Sequence, residues 1–527
     1  MRPFLKGGNS MSSFKDRLLE YLNIPEEEYL KLTKKISKDD LESPDNFINM
    51  DKVTNRINDA IKNNENIMIY GDYDCDGISA TSILVKTFLM LNKKVGYYIP
   101  SRYIDGYGLN LNRAKQIKEK GYSLLITVDN GVSCHEAIAY LKENNVDVII
   151  TDHHEITGEL PLSYSILHPD LKVNHDNLKQ CGAYVAFMLS IKLLNYVDDY
   201  LLTLAMQATI SDMMPLHSHN RNIVKLGLEI LNKNKHFATC LLTNKSIIDE
   251  DELGYVICPK INAFGRIKED ISVNDMVRFF VSDDEKIKQR FLRNIELVNN
   301  QRKDILNYAV SQIKWDEFIN DKLIVTRLDQ ISEGVIGLVA SRILNQCNKP
   351  CIVLCKTHEG ILKGSARSYE GLNLAEAFLD SKEYLLSFGG HAQAGGLSLN
   401  EDNYFLFKDN ITKYALDKKI IIPEDKYFIL NNKDLTYENY LIIKSLSPFG
   451  MEFPRPNFLL KINKGDVRYI GNDGQHIKGL INNKASFIGF NLSSIIEDKE
   501  NFYASGNIYK DDFRGGEYLS YQIDKII

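Results

Sequence analysis

The sequence predicts an α/β protein: a parallel-sheet domain, a long helical bridge, a second α/β domain and a small C-terminal β-barrel. Three observations predict it. From residue 66 short apolar or β-branched runs alternate with helical patterns, as parallel strands and crossover helices do. The region from about 178 to 310 reads as mainly helical. Beyond about residue 420, short strand-like runs are punctuated by Gly, Asn and Asp turns.

Residues 1–48 carry no readable motif and form an N-terminal extension. The first domain spans 49–215. Its strand "NIMIY" precedes a helix from about Ser79 to Leu91, then come "KVGYYIP", a helix near Arg113 to Lys120, "SLLITVD", a helix from Ser133 to Glu143, and "VDVIITD". Residues 216–315 hold a helical region that ends in the polar "EKIKQRFLRNIELVNNQRKDILNYAVSQI", as a helix bridging two domains would. The second α/β domain, 316–418, contains "KLIVTRL", "GVIGLVASRILNQ", "PCIVLCK", "LKGSARS" and the glycine-rich "FGGHAQAGGLSL". The β-barrel follows at 419–527.

Bulk properties narrow the function classes. With 44% apolar residues the 527-residue chain can build real cores. No apolar run is long enough to span a membrane, and the N-terminus lacks the apolar core of a secretory signal, so a cytoplasmic protein without membrane association is expected. The eight cysteines are scattered, and Cys347, Cys351 and Cys355 fall on a helix end and an apolar strand, which favours reduced, buried thiols over a zinc knuckle. A net charge of −6 neither advertises nor excludes a nucleic-acid partner, because association follows the local field of a cleft.

The chemistry sits at the strand ends. "YGDYD" follows the first strand, Asp129 ends "TVD", and Asp152, His153 and His154 follow "VIIT". Open parallel sheets bind ligands beyond the carboxyl ends of their strands, so these groups are expected to converge on one rim. Asp74, Asp76, Asp129, the Asp152-His153-His154 run and Asp212 in "ATISDMMPL" would supply ligands for about two hard divalent cations, with imidazole shifting the preference toward manganese. Each alone is also compatible with a turn residue or a solvated loop. Together, without cations, they would repel one another or stay partly protonated.

In order along the chain, "YGDYDCDGISA", "TVDNGVS", "TDHHE", "HPD" and "ATISDMMPL" resemble the motifs of the DHH phosphoesterase superfamily, and "FGGHAQAGGLSL" resembles its DHHA1 partner domain. "IPSRYIDGYGLN", "CPKINAFGRI", "GVIGLVASRI", "KGSARS" and "LSPFGMEFPRPNF" resemble, more narrowly, the RecJ family of 5′ to 3′ single-strand exonucleases. The resemblance implies a DHH domain, a helical bridge, a DHHA1 domain and an OB-like barrel.

It implies that Asp74, Asp76, Asp129, His153 and Asp212 hold two Mn²⁺ or Mg²⁺ ions, with Asp76 bridging and His154 serving the second ion or a phosphate oxygen. Asp152 would orient an imidazole. Asp72 is either a supporting residue or outer-sphere ligand, or a turn cap. Arg102, Ser365 and Arg367 match the positions that grip a 5′ phosphate, for which a guanidinium fork suits a dianion. His391 reads as a phosphate contact or a packed histidine, and Tyr107 as a base-stacking ring or a packing plug. In the C-terminal region Lys461, Lys464, Arg468, His476, Lys478 and Lys484 interleave with Tyr469, Phe487, Phe490, Phe502 and Tyr503, as on an OB surface for single strands.

The implied function is metal-dependent hydrolysis of single-stranded DNA to 5′-mononucleotides in recombination and repair, by a monomer that works with a helicase and a single-strand-binding protein. A DHH phosphodiesterase for short oligoribonucleotides or cyclic dinucleotides shares the metal core. A non-catalytic DNA-binding scaffold would have lost ligands that this chain keeps. Departures from the family pattern are Tyr70 where relatives often have His, Ile331-Ser332 in place of Trp-His, Phe264 for Ala and Ala208 for Gly. None removes a carboxylate.

Overall fold

The structure is a computed structural model, and it describes residues 12–173, 177–267, 272–357, 359–511, 514 and 516–527. Residues 1–11 of the N-terminal extension lie outside them. The chain forms two compact units: residues 38–423, and the N-terminal segment to residue 37 together with 424–527.

In the larger unit, strands β1 (Ile67–Tyr70), β2 (Gly96–Tyr98), β3 (Leu124–Val128), β4 (Asp147–Thr151) and β5 (Ser165–Leu167) make one sheet of order β2-β1-β3-β4-β5. Every pairing is parallel. β1 and β3 are buried along their whole length, as strands covered on both faces must be. Helices Leu111–Glu119 and His135–Glu143 cover one face with Ala114, Ile117, Ile138 and Leu141. Helices Cys75–Met90 and Gly182–Leu194 lie on the other and are apolar nearly all round. The first helix starts at Cys75, earlier than the Ser79 that the hydrophobic pattern indicates, because Asp74 caps it. β5 is a strand that the sequence reading does not contain.

A 27-residue helix, Glu285–Ser311, leads to the second sheet. That sheet comprises β6 (Ile324–Arg327), β7 (Cys351–Lys356), β8 (Ile361–Arg367), β9 (Ser387–Gly390) and β10 (Ala394–Asn400) in the order β6-β7-β8-β10-β9. β6 and β7 are parallel, and the remaining pairs are antiparallel.

The smaller unit is a seven-stranded sheet of order β11-β12-β16-β17-β15-β14-β13. Its strands are β11 (Phe428–Leu430), β12 (Phe458–Asn463), β13 (Val467–Ile470), β14 (His476–Asn482), β15 (Ala485–Gly489), β16 (Asn501–Lys510) and β17 (Leu519–Ile526). The helix Phe14–Leu22, capped by Ser13, places Phe14 and Leu18 one turn apart in this unit's core beside Phe428, Leu430 and Phe458. Phe487 and Phe502 are buried in the same core, so alternation along the strands turns them inward and away from any base-stacking surface. Tyr469, Phe490 and Tyr503 remain exposed. Among the described residues no helix is long and apolar enough to cross a membrane.

One buried polar knot ties Lys172, just after β5, and Gln180, just before the helix Gly182–Leu194, to Glu42. Lys172 Nζ donates to both oxygens of Glu42, at 2.7 and 2.9 Å, and to Gln180 Oε1. Tyr184 Oη donates to Glu42 Oε2 at 2.7 Å, and Glu42 and Lys172 are both inaccessible to solvent. Removing one partner of such a pair leaves an uncompensated buried charge, which costs far more than removing both. Lys172→Met is expected to destabilise the chain by roughly 3–5 kcal/mol in denaturant titration, and Glu42→Gln added to it to recover most of that loss. Equal midpoints for Lys172→Met and wild type would contradict the assignment.

Candidate metal centre

The carboxylates at the sheet rim are held by backbone N–H groups. Asp74, just beyond β1, is the N-cap of the helix Cys75–Met90, and its Oδ1 accepts from the N–H groups of Asp76 (2.9 Å) and Gly77 (3.0 Å). Its other oxygen is not spent on the cap. Asp76, in the first turn, accepts from Gly182 N–H at Oδ2 (2.6 Å) and from Ala183 N–H at Oδ1 (2.7 Å), at the N-terminus of the next helix. That helix end stabilises negative charge, and each carboxylate oxygen keeps a lone pair free. Gly182 has to be glycine, because a Cβ there would lie 2.6 Å from the Cβ of Asp129.

Asp129 follows β3 in the left-handed region, with φ of 60°. Asp and Asn tolerate that region better than other side chains, and the conformation turns its carboxylate into the rim. Beyond β4, His153 Nε2 lies 3.0 Å from Asp129 Oδ1, 3.5 Å from Asp76 Oδ2 and 3.6 Å from Asp212 Oδ2. Three acidic groups from three distant segments thus meet at one imidazole nitrogen. Asp212 arrives from the end of the helix Asp199–Ser211.

Asp152 is fully occupied. Its Oδ1 accepts from the N–H groups of His153 (2.7 Å) and His154 (3.1 Å) and lies 2.8 Å from His154 Nδ1, while Oδ2 accepts from Val132 N–H at 2.9 Å. Burial pushes the Asp152 carboxyl up, but the His154 hydrogen bond and charge outweigh this and hold it at about 2. Burial likewise works against charge on His154, and Asp152 overcomes it, raising the imidazole to about 9. Tyr107 Oη lies 3.0 Å from His154 Nε2, so the tyrosine sits at the rim against the second histidine.

Other carboxyls are pushed the opposite way. Burial first, and then neighbouring carboxylates, raise Asp72, Asp74 and Asp129, and raise Asp212 to about 9. Asp72 Oδ1, Asp129 Oδ1 and Asp212 Oδ2 are buried without a hydrogen-bond donor. One ligand atom each of Asp72, Asp74 and Asp129 falls within 4.8 Å of the others, as do those of Asp76, His153 and Asp212, and of Asp129, His153 and His154. Asp72 therefore stands with Asp74 and Asp129 among the groups that could hold a cation. Orphaned buried oxygens with an imidazole are the donor set that hard divalent cations take.

Tyr70 contributes nothing here. It is buried on the opposite face of β1, and its hydroxyl donates to Gly108 O at 3.2 Å.

A cluster of guanidinium groups adjoins the rim. The Arg102 guanidinium lies 4.5 Å from the ring centroid of Tyr73, between Asp72 and Asp74 in sequence. Arg367 Nη1 donates to Ser365 Oγ at 3.2 Å and to Ala366 O at 2.7 Å. Burial, with repulsion from Arg102, Arg302 and Arg367, lowers Arg266 to about 10. Arg102 and Arg367, widely separated in sequence, therefore share one field with Arg266. His391, on the turn between β9 and β10, is 79% exposed, with its Nδ1 3.8 Å from Glu155 Oε2 next to the His153-His154 pair. It is not a packed histidine.

Sequence reasoning missed three supporting residues. His168 is buried, lies 2.9 Å through Nε2 from the His154 carbonyl and accepts Asp170 N–H at Nδ1 (3.1 Å), which pins the backbone of the histidine pair. Its signal is "SILHPD", a fourth apolar run that ends in an imidazole. Asn262 accepts Cys75 N–H at 2.7 Å and donates to Ser211 Oγ at 3.3 Å, linking the turn of Asp74 to the helix that delivers Asp212. Arg266 carried no signal beyond its place in "CPKINAFGRI".

The chain matches the DHH family N-terminal domain over residues 66–209, the DHHA1 domain over 320–416 and the RecJ OB domain over 428–525. It is 35% identical to the single-stranded-DNA-specific exonuclease RecJ of Bacillus subtilis across 87% of this chain, and it spans 60% of that relative's length. It is 29% identical to the Haemophilus influenzae protein of the same name, across 98% of this chain and 97% of the relative. The crystal structure of Thermus thermophilus RecJ in complex with Mn²⁺ superposes with a TM-score of 0.83 at 24% identity, covering 98% of this chain and 76% of that one. A crystal structure of exonuclease RecJ bound to manganese gives 0.60 at 28% identity, covering 73% and 96%.

The raised carboxyls set a sign for pH dependence. Burial and neighbouring carboxylates raise Asp72, Asp74, Asp129 and Asp212 in the folded, metal-free chain above their unfolded values, so the stabilisation each contributes is intact below about pH 4 and is lost as pH rises through its raised folded value, about 9 for Asp212. Cations that displace the protons from these carboxyls remove this loss. Added Mn²⁺ or Mg²⁺ is expected to raise the melting temperature more at pH 8 than at pH 6, with roughly one proton or more released per chain, read by calorimetry in two buffers of different ionisation enthalpy. A metal-induced shift that is the same at both pH values would contradict it.

Proposed function

The chain belongs to the RecJ family, and from that premise we propose that it is a metal-dependent exonuclease that degrades single-stranded DNA from the 5′ end to 5′-mononucleotides. The observation that carries this reading is the approach of Asp129, Asp76 and Asp212 to His153 Nε2, at 3.0, 3.5 and 3.6 Å. The residues fit two hard divalent ions, Mn²⁺ or Mg²⁺, and both ions are named in structures of the Thermus relative. When bound, such ions supply a water nucleophile at neutral pH and offset charge on the attacking and leaving oxygens of a phosphodiester.

The ligands under this reading are Asp74, Asp76, Asp129, His153 and Asp212, with Asp72 beside them. Backbone N–H groups hold Asp74 and Asp76 before any ion arrives, so the chain meets the cost of ordering them in folding. Asp152 keeps His154 cationic near neutral pH, which suits the histidine to a phosphate oxygen or to giving a proton to the departing oxygen. His391, exposed opposite Glu155, is placed for a second phosphate contact. Arg102, Ser365 and Arg367, with Arg266 between them, form the grip for the terminal phosphate, because guanidinium groups without carboxylate partners favour a dianion. Exposed Tyr469, Phe490 and Tyr503 offer faces for bases on the C-terminal sheet. The proposal extends to a monomer acting in the cytoplasm in recombination and repair, beside a helicase and a single-strand-binding protein.

The test uses oligonucleotides labelled at either end, single- and double-stranded, with and without a 5′ phosphate, incubated with Mn²⁺. Stepwise loss from the 5′ end of single strands is expected. Asp129→Ala should lower the cleavage rate by about 10³-fold or more while sparing DNA binding. Arg367→Ala should weaken engagement of 5′-phosphorylated ends by roughly 10- to 100-fold. Turnover of dinucleotides alone, or binding without cleavage, would overturn the reading.

A further inference from the structure

Resting on the reading that the guanidinium cluster grips a terminal phosphate, we propose that the Tyr103 hydroxyl is a positioning residue that clasps together the three segments carrying the phosphate-binding cations and so sets preference for a 5′-phosphorylated end. Tyr103 Oη donates to the backbone carbonyl of Arg266 at 2.6 Å. Ser332 Oγ lies 3.1 Å from the same oxygen, and since the Tyr103 proton is spent on Arg266, Ser332 is the donor. Gly334 N–H donates to Ser332 Oγ at 3.4 Å, and Arg266 Nη1 donates to Gly334 O at 3.4 Å, closing the ring. No side chain fits at Gly334, where a Cβ would stand 1.9 Å from Arg266 O and 2.5 Å from Tyr103 Oη.

Each clasped segment bears or positions one cation. Arg102 precedes Tyr103, and Arg266 is tied through its own carbonyl. Gly334 leads into the helix Ile336–Cys347, whose Gly337 packs so closely on β8 that a Cβ would lie 3.2 Å from Ser365 Oγ and 3.3 Å from Arg367 Nη2. The Arg266 guanidinium is repelled by those of Arg102 and Arg367, so segments joined only by apolar packing would spread. A single phenolic oxygen with two partners opposes that drift, whereas the ring of Tyr103 could pack equally well without it.

The experiment measures cleavage and equilibrium DNA binding by the full-length chain with Mn²⁺, on matched oligonucleotides bearing a 5′ phosphate or a 5′ hydroxyl. Tyr103→Phe is expected to raise KM and Kd for the phosphorylated strand about five- to tenfold, with kcat and the values for the hydroxyl strand unchanged. Ser332→Ala should act in the same direction and more weakly, and the double variant should be no worse than Tyr103→Phe alone. Melting temperatures near wild type for both variants separate positioning from loss of fold. Undiminished phosphate preference in Tyr103→Phe, or an equal loss on both strands, overturns the clasp alone. A wild-type chain indifferent to the 5′ phosphate overturns the grip and the clasp together.

Discussion

The structure is organised around mutual repulsion among carboxylates. Asp72, Asp74, Asp76 and Asp129 are buried or nearly so within a few ångströms of one another, and Asp212 joins them from the side. Unit charges about 4 Å apart repel by several kcal/mol even at an effective dielectric near 20, so the cluster opposes folding unless something positive enters it. The protein's own contribution is small and oriented: paired N–H groups on Asp74 and on Asp76, and the imidazoles of His153 and His154. These aim the oxygens without neutralising them. The remaining deficit is what makes the rim a strong site for divalent cations.

Orientation comes from backbone geometry at the strand ends. In a parallel sheet the carboxyl ends of β1, β3 and β4 lie side by side, so residues from 72 to 154 converge without long-range design. Close packing then sharpens the convergence. Gly182 brings the N-terminus of its helix against Asp129, and Gly77 sits where a Cβ would lie 2.5 Å from Asp72 O. The positive φ of Asp129 is the local strain that such packing holds in place.

Much of this was legible in the sequence because the relevant patterns are local. Each of the three strand ends couples an apolar run to an acidic or imidazole residue, and parallel topology follows from the alternation. What was not legible depends on tertiary partners. The helix after β1 begins at Cys75 because the Asp74 side chain caps it, which hydrophobic periodicity cannot register. β5 is three residues long, too short to stand out. Phe14 and Leu18 look like any amphipathic pair until Phe428 and Phe458 are seen beside them. Phe487 and Phe502 carry the composition of a stacking surface and the register of a core. Tyr70 stands where relatives often have His, and only the pleat of β1 shows that it faces the wrong way to ligate.

The anionic rim and the guanidinium cluster are joined by one turn. Gly265 lies so close to the DxD segment that a Cβ would be 2.6 Å from Tyr73 O. Three residues before it Asn262 secures Cys75, and one residue after it Arg266 enters the field of Arg102 and Arg367. The DxD turn is tied in the same way from its other side, where Arg102 stacks on Tyr73. The separation of the two charge sets is therefore set by backbone contact at Gly265 and by the stacking of Arg102 on Tyr73. For a strand held by its terminal phosphate, that separation decides which phosphodiester reaches the carboxylates. Under the proposed grip, a definite distance from the strand end is a consequence of that turn.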